Sequence, residues 1–170
     1  SKTIASMRSF ETASSSEKVL VSFGDALSPQ WGIFDLIDLV WRPLQSGINY
    51  ATWGKDDNEI FAVYGEEKRL VKIDLSRNNQ QNVILNNFGF KDSKIRFAGD
   101  NRLIVFERTS AEYPSRVWTL DLKKLELQTI FAPRNGLTLD FGRGGSYFVF
   151  SPPNDFSILN PRLRKFLQIL

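Results

Sequence analysis

The chain has 170 residues, 42% of them apolar and 13% aromatic, and a formal net charge of +3. That size and composition suit one ordinary domain or one compact repeat array, and they exclude a disordered chain. With no Cys and no His, the chain has no thiol nucleophile, disulfide, thiolate or imidazole metal site, and no triad that needs a His base.

The charge is mild and dispersed, with its densest basic cluster at Arg162, Arg164 and Lys165. This argues against nucleic acid as a partner, because binding domains concentrate their basic residues in a patch. The longest apolar stretch, WGIFDLIDLVW at 31–41, contains Asp35 and Asp38 and falls short of the ~18 apolar residues a membrane helix needs. No signal-peptide pattern opens the sequence, and the absence of Cys does not fix a cellular compartment.

Read in chain order, the sequence repeats one grammar four times. The first unit has Phe10, the turn ETASSSE, and strands predicted at Val19–Phe23, 32–36 (GIFDL) and 39–44 (LVWRPL). The second has Trp53, GKDDNE, Ile60–Tyr64, 70–75 (LVKIDL) and 82–85 (NVIL). The third has Phe97, AGDN, Leu103–Phe106, 117–122 (VWTLDL) and 127–131 (LQTIF). The fourth has Phe141, GRGGS, Tyr147–Phe150, 157–161 (SILNP) and 166–170 (FLQIL). Trp53, Phe97 and Phe141 are spaced by about 44 residues, within the range of blade-sized repeats. Phe10 is taken as the corresponding landmark of the first unit.

Polar turns between short apolar runs signal β-hairpins. Strands such as LIVF and YFVF are apolar on both faces, as expected of a sheet covered on each side by another. The prediction is all-β: a β-propeller-like array of four blades, each a four-stranded antiparallel sheet. It forms one domain over 1–170, with blades near 1–45, 46–88, 89–132 and 133–170.

The turns Trp53-Gly54-Lys55-Asp56-Asp57 and Phe97-Ala98-Gly99-Asp100-Asn101 are each followed by an apolar strand. A later apolar-x-apolar-Asp places Asp35, Asp74 and Asp121, with Asn160 in the fourth unit. This pattern resembles the TolB-like and WD-repeat-like propeller blades and spans nearly the whole chain. It departs from the family consensus Trp-Ser-Pro-Asp-Gly at the first turn, and no Trp-Asp dipeptide closes a blade, which leaves the subfamily open. The resemblance implies a platform for proteins or peptides; fold alone does not give function. Three assemblies fit four blades: a closed ring, a half-ring completed by self-association with a second copy, or a piece of a longer propeller.

Candidate binding residues fall in two groups. Ser9, Thr52, Arg96 and Asp140 directly precede the four landmarks and would share one level of the first strands. Of these, Thr52, Arg96 and Asp140 form the candidate site for a carbohydrate or small anion in a central channel. The competing reading is an Arg96–Asp140 pair tying adjacent blades, since buried charges are normally paired. The second group lies on the loops 24–31, 108–116 and 132–136, because loops carry variation on a constant scaffold. The segment 108–116, RTSAEYPSR, supplies Arg108, Glu112, Tyr113 and Arg116, joined by Arg134, as candidate partner-binding residues.

The remaining motifs read as structure. GRGGS at 142–146 lacks the Lys-Ser/Thr and following helix of a phosphate loop. DDNE at 56–59 lacks the ligand spacing of a calcium loop. The four Trp read as core packing, and PRLRKF at 161–166 as a solvated edge. The expectation is a noncatalytic protein–protein interaction or scaffolding module with a protein or peptide partner, and with no catalytic residue, metal or cofactor. The alternatives are a module that binds a small ligand in the channel and a propeller domain associated with an enzyme elsewhere in a longer chain.

Overall fold

The computed structural model describes residues 6–89, 93–107, 114–134, 139–141 and 148–150. Three four-stranded antiparallel sheets follow one another along the chain. The first contains β1 (Met7–Thr12), β2 (Lys18–Gly24), β3 (Pro29–Asp35) and β4 (Val40–Pro43) in sequential order. The second contains β5 (Ile48–Trp53), β6 (Glu59–Tyr64), β7 (Arg69–Asp74) and β8 (Gln80–Leu85). The third contains β9 (Ser93–Phe97), β10 (Arg102–Glu107), β11 (Ser115–Asp121) and β12 (Glu126–Arg134). A further antiparallel pair joins β13 (Leu139–Phe141) to β14 (Phe148–Phe150). The strands expected at 157–161 and 166–170 lie outside the described residues. Among the described residues the only helical piece is a 3-10 turn at Leu75–Arg77, so the chain is all-β.

The chain divides into two compact units, Ser1–Gly89 and Phe90–Leu170. In the first unit, one face of the second sheet packs on the first sheet. Trp53, Ile60 and Ile73 lie in one cross-strand row of that face, and Ala51, Ala62 and Val71 in the next. They join Leu20, Trp31 and Ile33 of the first sheet, and Leu44 just past its last strand, in one buried cluster. Each fully buried aliphatic side chain of this kind contributes roughly 1.5–3 kcal/mol. In the second unit, Leu103 and Val105 face one side of the third sheet and Ile104 and Phe106 the other; all four are buried. This two-sided burial is what the apolar runs predict.

The repeated Asp has a local cause. Asp35 Oδ1 accepts hydrogen bonds from the amides of Ile37 (3.0 Å) and Asp38 (3.1 Å). Asp121 Oδ1 accepts from Lys123 (2.8 Å) and Lys124 (2.9 Å). Asp74 Oδ1 accepts from the Ser76 amide (3.0 Å) and hydroxyl (2.6 Å). Each carboxylate therefore starts the turn between the third and fourth strands, as Asx turns do. These hydrogen bonds, led by the Asp38 amide at Asp35, the Ser76 hydroxyl at Asp74 and the Lys124 amide at Asp121, hold all three below the usual carboxylate pKa. The turns end in left-handed backbone at Leu39 (φ 55°), Asn79 (φ 60°) and Leu125 (φ 57°).

The register corrects one expectation. Lys18 pairs with Asp35, Glu59 with Asp74 and Arg102 with Asp121, which fixes the equivalence of the three sheets. Counting from there, Val19 pairs with Thr12 where Ile60 pairs with Trp53 and Leu103 with Phe97. Thr12, not Phe10, therefore occupies the landmark position of the first sheet. Phe10 lies two residues earlier, opposite Val21, and is 65% exposed. A bulge falls at Met7/Ser9 in β1 and at Ile48/Tyr50 in β5, in agreement with this alignment.

Candidate binding surface on the first sheet

The corrected register changes which residue belongs beside Thr52. Its equivalent in the first sheet is Glu11, not Ser9, and the two touch. Thr52, fully buried, donates its hydroxyl to Glu11 Oε1 at 3.1 Å. The same oxygen accepts the Trp53 amide at 3.3 Å, and the Glu11 carbonyl accepts the Trp53 indole N–H at 2.8 Å. Ser9 instead shares a 2.6 Å hydroxyl–hydroxyl hydrogen bond with Ser22. Arg96 lies on β9 opposite Ile104, and Asp140 lies on β13 opposite Val149. The Asp140 side chain lies outside the described residues.

A second tie joins the two sheets at their first turns. Asp57 Oδ1 accepts the Ser14 amide at 2.9 Å and its hydroxyl at 2.6 Å, and Oδ2 accepts the Ser15 amide at 3.2 Å. Burial pushes the Asp57 carboxyl up, but these serine donors outweigh it and hold the group below its ordinary pKa. Lys18 Nζ donates to the Asp57 carbonyl at 3.3 Å, and Gln81 Nε2 donates to Gln45 Oε1 at 2.7 Å. Two carboxylates of this unit thus serve as pegs between sheets.

Of the expected partner-binding residues, Arg108, Glu112 and Tyr113 lie outside the described residues. Arg116 sits within β11 opposite Glu107, with 3.9 Å between guanidinium and carboxylate. Arg134 ends β12 opposite Ser115. A cavity of about 60 Å³ opens where Lys18, Asp35 and Arg42 meet Asn58 and Asn79. That is room for water, well under the ~300 Å³ at which small-molecule sites begin. Among the described residues, no group of acidic side chains is placed to hold a metal ion.

The most distinctive exposed surface is the turn from β3 to β4. Leu36, Ile37 and Leu39 are 44%, 67% and 72% exposed. The equivalent turn of the second sheet reads Leu75-Ser76-Arg77-Asn78-Asn79, and that of the third reads Leu122-Lys123-Lys124-Leu125. All three turns start from the same Asp cap, but only the first places three large apolar side chains in solvent. The second turn exposes no large apolar side chain and the third exposes Leu125 alone, at 46%, so the fold does not require three there. The residues were visible in the sequence; the signal was the comparison of equivalent turns, which needs the register.

No protein-family model matches the chain, and no curated protein matches it by sequence. Solved structures do match it. TolB from Acinetobacter baumannii superposes with a TM-score of 0.68 at 14% identity, over 89% of this chain and 39% of that one. A chain of a nidogen/laminin complex gives 0.58 at 12% identity, over 77% and 49%. The β-propeller domain of the Trilobed protease from Pyrococcus furiosus gives 0.54 at 16% identity, over 84% and 47%. This chain spans less than half the length of each of the three. At these identities the likeness concerns the fold: the four-stranded sheets are β-propeller blades.

Proposed function

We propose that this chain is a noncatalytic propeller module that binds a protein or peptide, and that the β3–β4 turn of the first sheet is a principal contact. The observation that carries the reading is the exposed apolar trio Leu36, Ile37 and Leu39 on a turn whose equivalents expose at most one large apolar side chain. Exposed apolar clusters held on a rigid scaffold are characteristic of recognition surfaces. Peptide-sized partners suit such a surface better than metabolites do, because a turn offers area rather than enclosure. The absence of His and Cys from the whole sequence narrows the available chemistry and supports a noncatalytic role. One of the similar folds comes from a protein–protein complex. The segment 108–116, with Arg108, Glu112, Tyr113 and Arg116, remains the second proposed contact on the strength of its composition.

The test is quantitative affinity capture from the source organism with the wild-type chain and with the double variant Ile37→Asp/Leu39→Asp. Proteins retained by the wild type and lost with the folded variant support the reading. An identical set on both baits refutes the turn as the contact.

A further inference from the structure

The face of the first sheet that packs on the second changes character at one end. Toward its middle it is apolar, with Leu20 opposite Ile33. Two residues along these strands come Lys18 and Asp35, themselves a cross-strand pair, and Arg42 lies opposite Ile33 on the next strand. All three charged residues line the cavity of about 60 Å³ between the sheets, beside the apolar Ile33, Leu44 and Leu75. Every one of these residues belongs to the first compact unit.

Neither cation is neutralised in the cavity. Lys18 Nζ donates to two uncharged acceptors, the Asp57 carbonyl at 3.3 Å and Asn58 Oδ1 at 3.4 Å. Among the described residues, neither Lys18 nor Arg42 forms an ion pair. Asp35 commits its Oδ1 to the amides of Ile37 and Asp38. Two cations and one carboxylate leave an excess positive charge between apolar walls, where a charge acts most strongly. The blade itself does not require this. By the register, the place of Lys18 is taken by Glu59 in the second sheet and by Arg102 in the third. That of Arg42 is taken by Asn82 and Gln128. Of the three four-stranded sheets, only the first has a cation at both places.

We infer that this cavity is a carboxylate site, and that it takes an Asp or Glu side chain of the peptide resting on the β3–β4 turn. The source of the carboxylate rests on the proposed turn contact; its chemistry does not. Asp35 joins the two surfaces, because it caps the turn and lines the cavity. The volume admits the end of one side chain and not a metabolite. One excess positive charge matches one carboxylate, and the planar fork of Arg42 suits its two oxygens. Asp38 stands on the turn itself, so the partner's acid is favoured in the cavity and disfavoured at the tip. The fitting partner is an apolar segment with an acidic residue beside it.

The experiment is selection of a random peptide library, displayed on phage, against the immobilised chain. Affinities of the enriched peptides are then measured for the wild type, Arg42→Gln, Arg42→Lys and the double variant Ile37→Asp/Leu39→Asp. Arg42 is exposed, and circular dichroism verifies that each variant is folded. The enriched peptides are expected to join an Asp or Glu to an apolar run. Arg42→Gln should weaken them by about 10-fold or more, the scale of a hydrogen bond to a charged group, and Arg42→Lys, which keeps the charge, by less. Replacing the peptide's acid by its amide should weaken binding to the wild type and leave binding to Arg42→Gln nearly unchanged. Peptides that need Ile37 and Leu39 but carry no acid, or that bind Arg42→Gln as tightly as the wild type, overturn the carboxylate site and leave the turn contact standing. Acidic peptides that need Arg42 but not Ile37 and Leu39 uphold the site and overturn the turn as its source. No enrichment on the wild type overturns both.

Discussion

Removing the Glu11 carboxylate tests the polar tie between the first two sheets. Glu11 Oε1 accepts both the Thr52 hydroxyl and the Trp53 amide, and Thr52 has no solvent exposure with which to recruit water. Glu11→Ala leaves the buried amide without this acceptor and the hydroxyl with only its weak 3.4 Å contact to the Trp53 carbonyl. A buried polar group stranded in this way costs about 1–3 kcal/mol. The Trp53 indole bond to the Glu11 carbonyl involves backbone and survives, so the estimate for Glu11→Ala is about 2 kcal/mol. Thr52→Val removes the donor and so relieves part of the penalty. The pair should therefore be non-additive by about 1 kcal/mol, within the range for residues in direct contact. The assay is urea unfolding of the wild type, both single variants and the double variant at one protein concentration. A loss below about 0.5 kcal/mol for Glu11→Ala, at the size of an ordinary surface change, or strict additivity in the cycle, would refute the tie.

Three further outcomes follow from the same geometry. Leu39 holds a left-handed backbone conformation while mostly exposed, so Leu39→Asn should stabilise the chain by about 1 kcal/mol and weaken partner binding at the same time; thermal unfolding and quantitative capture read the two effects. Gly32→Ala would bring a Cβ against the Trp41 ring and within 2.8 Å of the Arg42 carbonyl, a crowding that should cost about 1–3 kcal/mol and shift the tryptophan emission. Asp57 is held below its ordinary pKa by Ser14 and Ser15; its contribution to stability is present above the unfolded value and is lost as pH falls through the lower folded value. Asp57→Asn should accordingly flatten the acid limb of stability, measured by denaturation between about pH 5 and pH 2. An unchanged slope would show that the serine contacts do not persist in solution.

The alternation of apolar strands and polar turns made the four-stranded units legible, because sheet pairing obeys a local pattern. β2, β6 and β10 each extend the predicted run by one residue or two, whereas the recurring Asp, which the sequence pattern places inside each third strand, takes its role as a turn cap only from the hydrogen bonds it accepts. Aromatic spacing puts the landmark of the first unit at Phe10, and the strand register moves it. The first sheet places Thr12 where the others place Trp53 and Phe97, so the aromatic landmark is absent from its expected position. With Thr12 in register, Ser9 yields its place to Glu11, and a hydrogen bond between sheets appears that no spacing rule supplies. The turn at Leu36, Ile37 and Leu39 lies inside the longest apolar run of the sequence, and the break predicted between residues 36 and 39 does not say whether these side chains are covered. Solvent exposure is decided by tertiary packing, and residue order alone does not contain it.

The most direct test of the proposed function is photo-crosslinking in the source organism, with a photoreactive residue at Ile37 and, in a parallel strain, at Arg77 on the equivalent turn of the second sheet. A discrete protein adduct is expected at position 37, identified by mass spectrometry and weak or missing at position 77. Equal labelling at both turns, or no adduct at 37, would contradict the claim that the β3–β4 turn of the first sheet is where this propeller meets its partner.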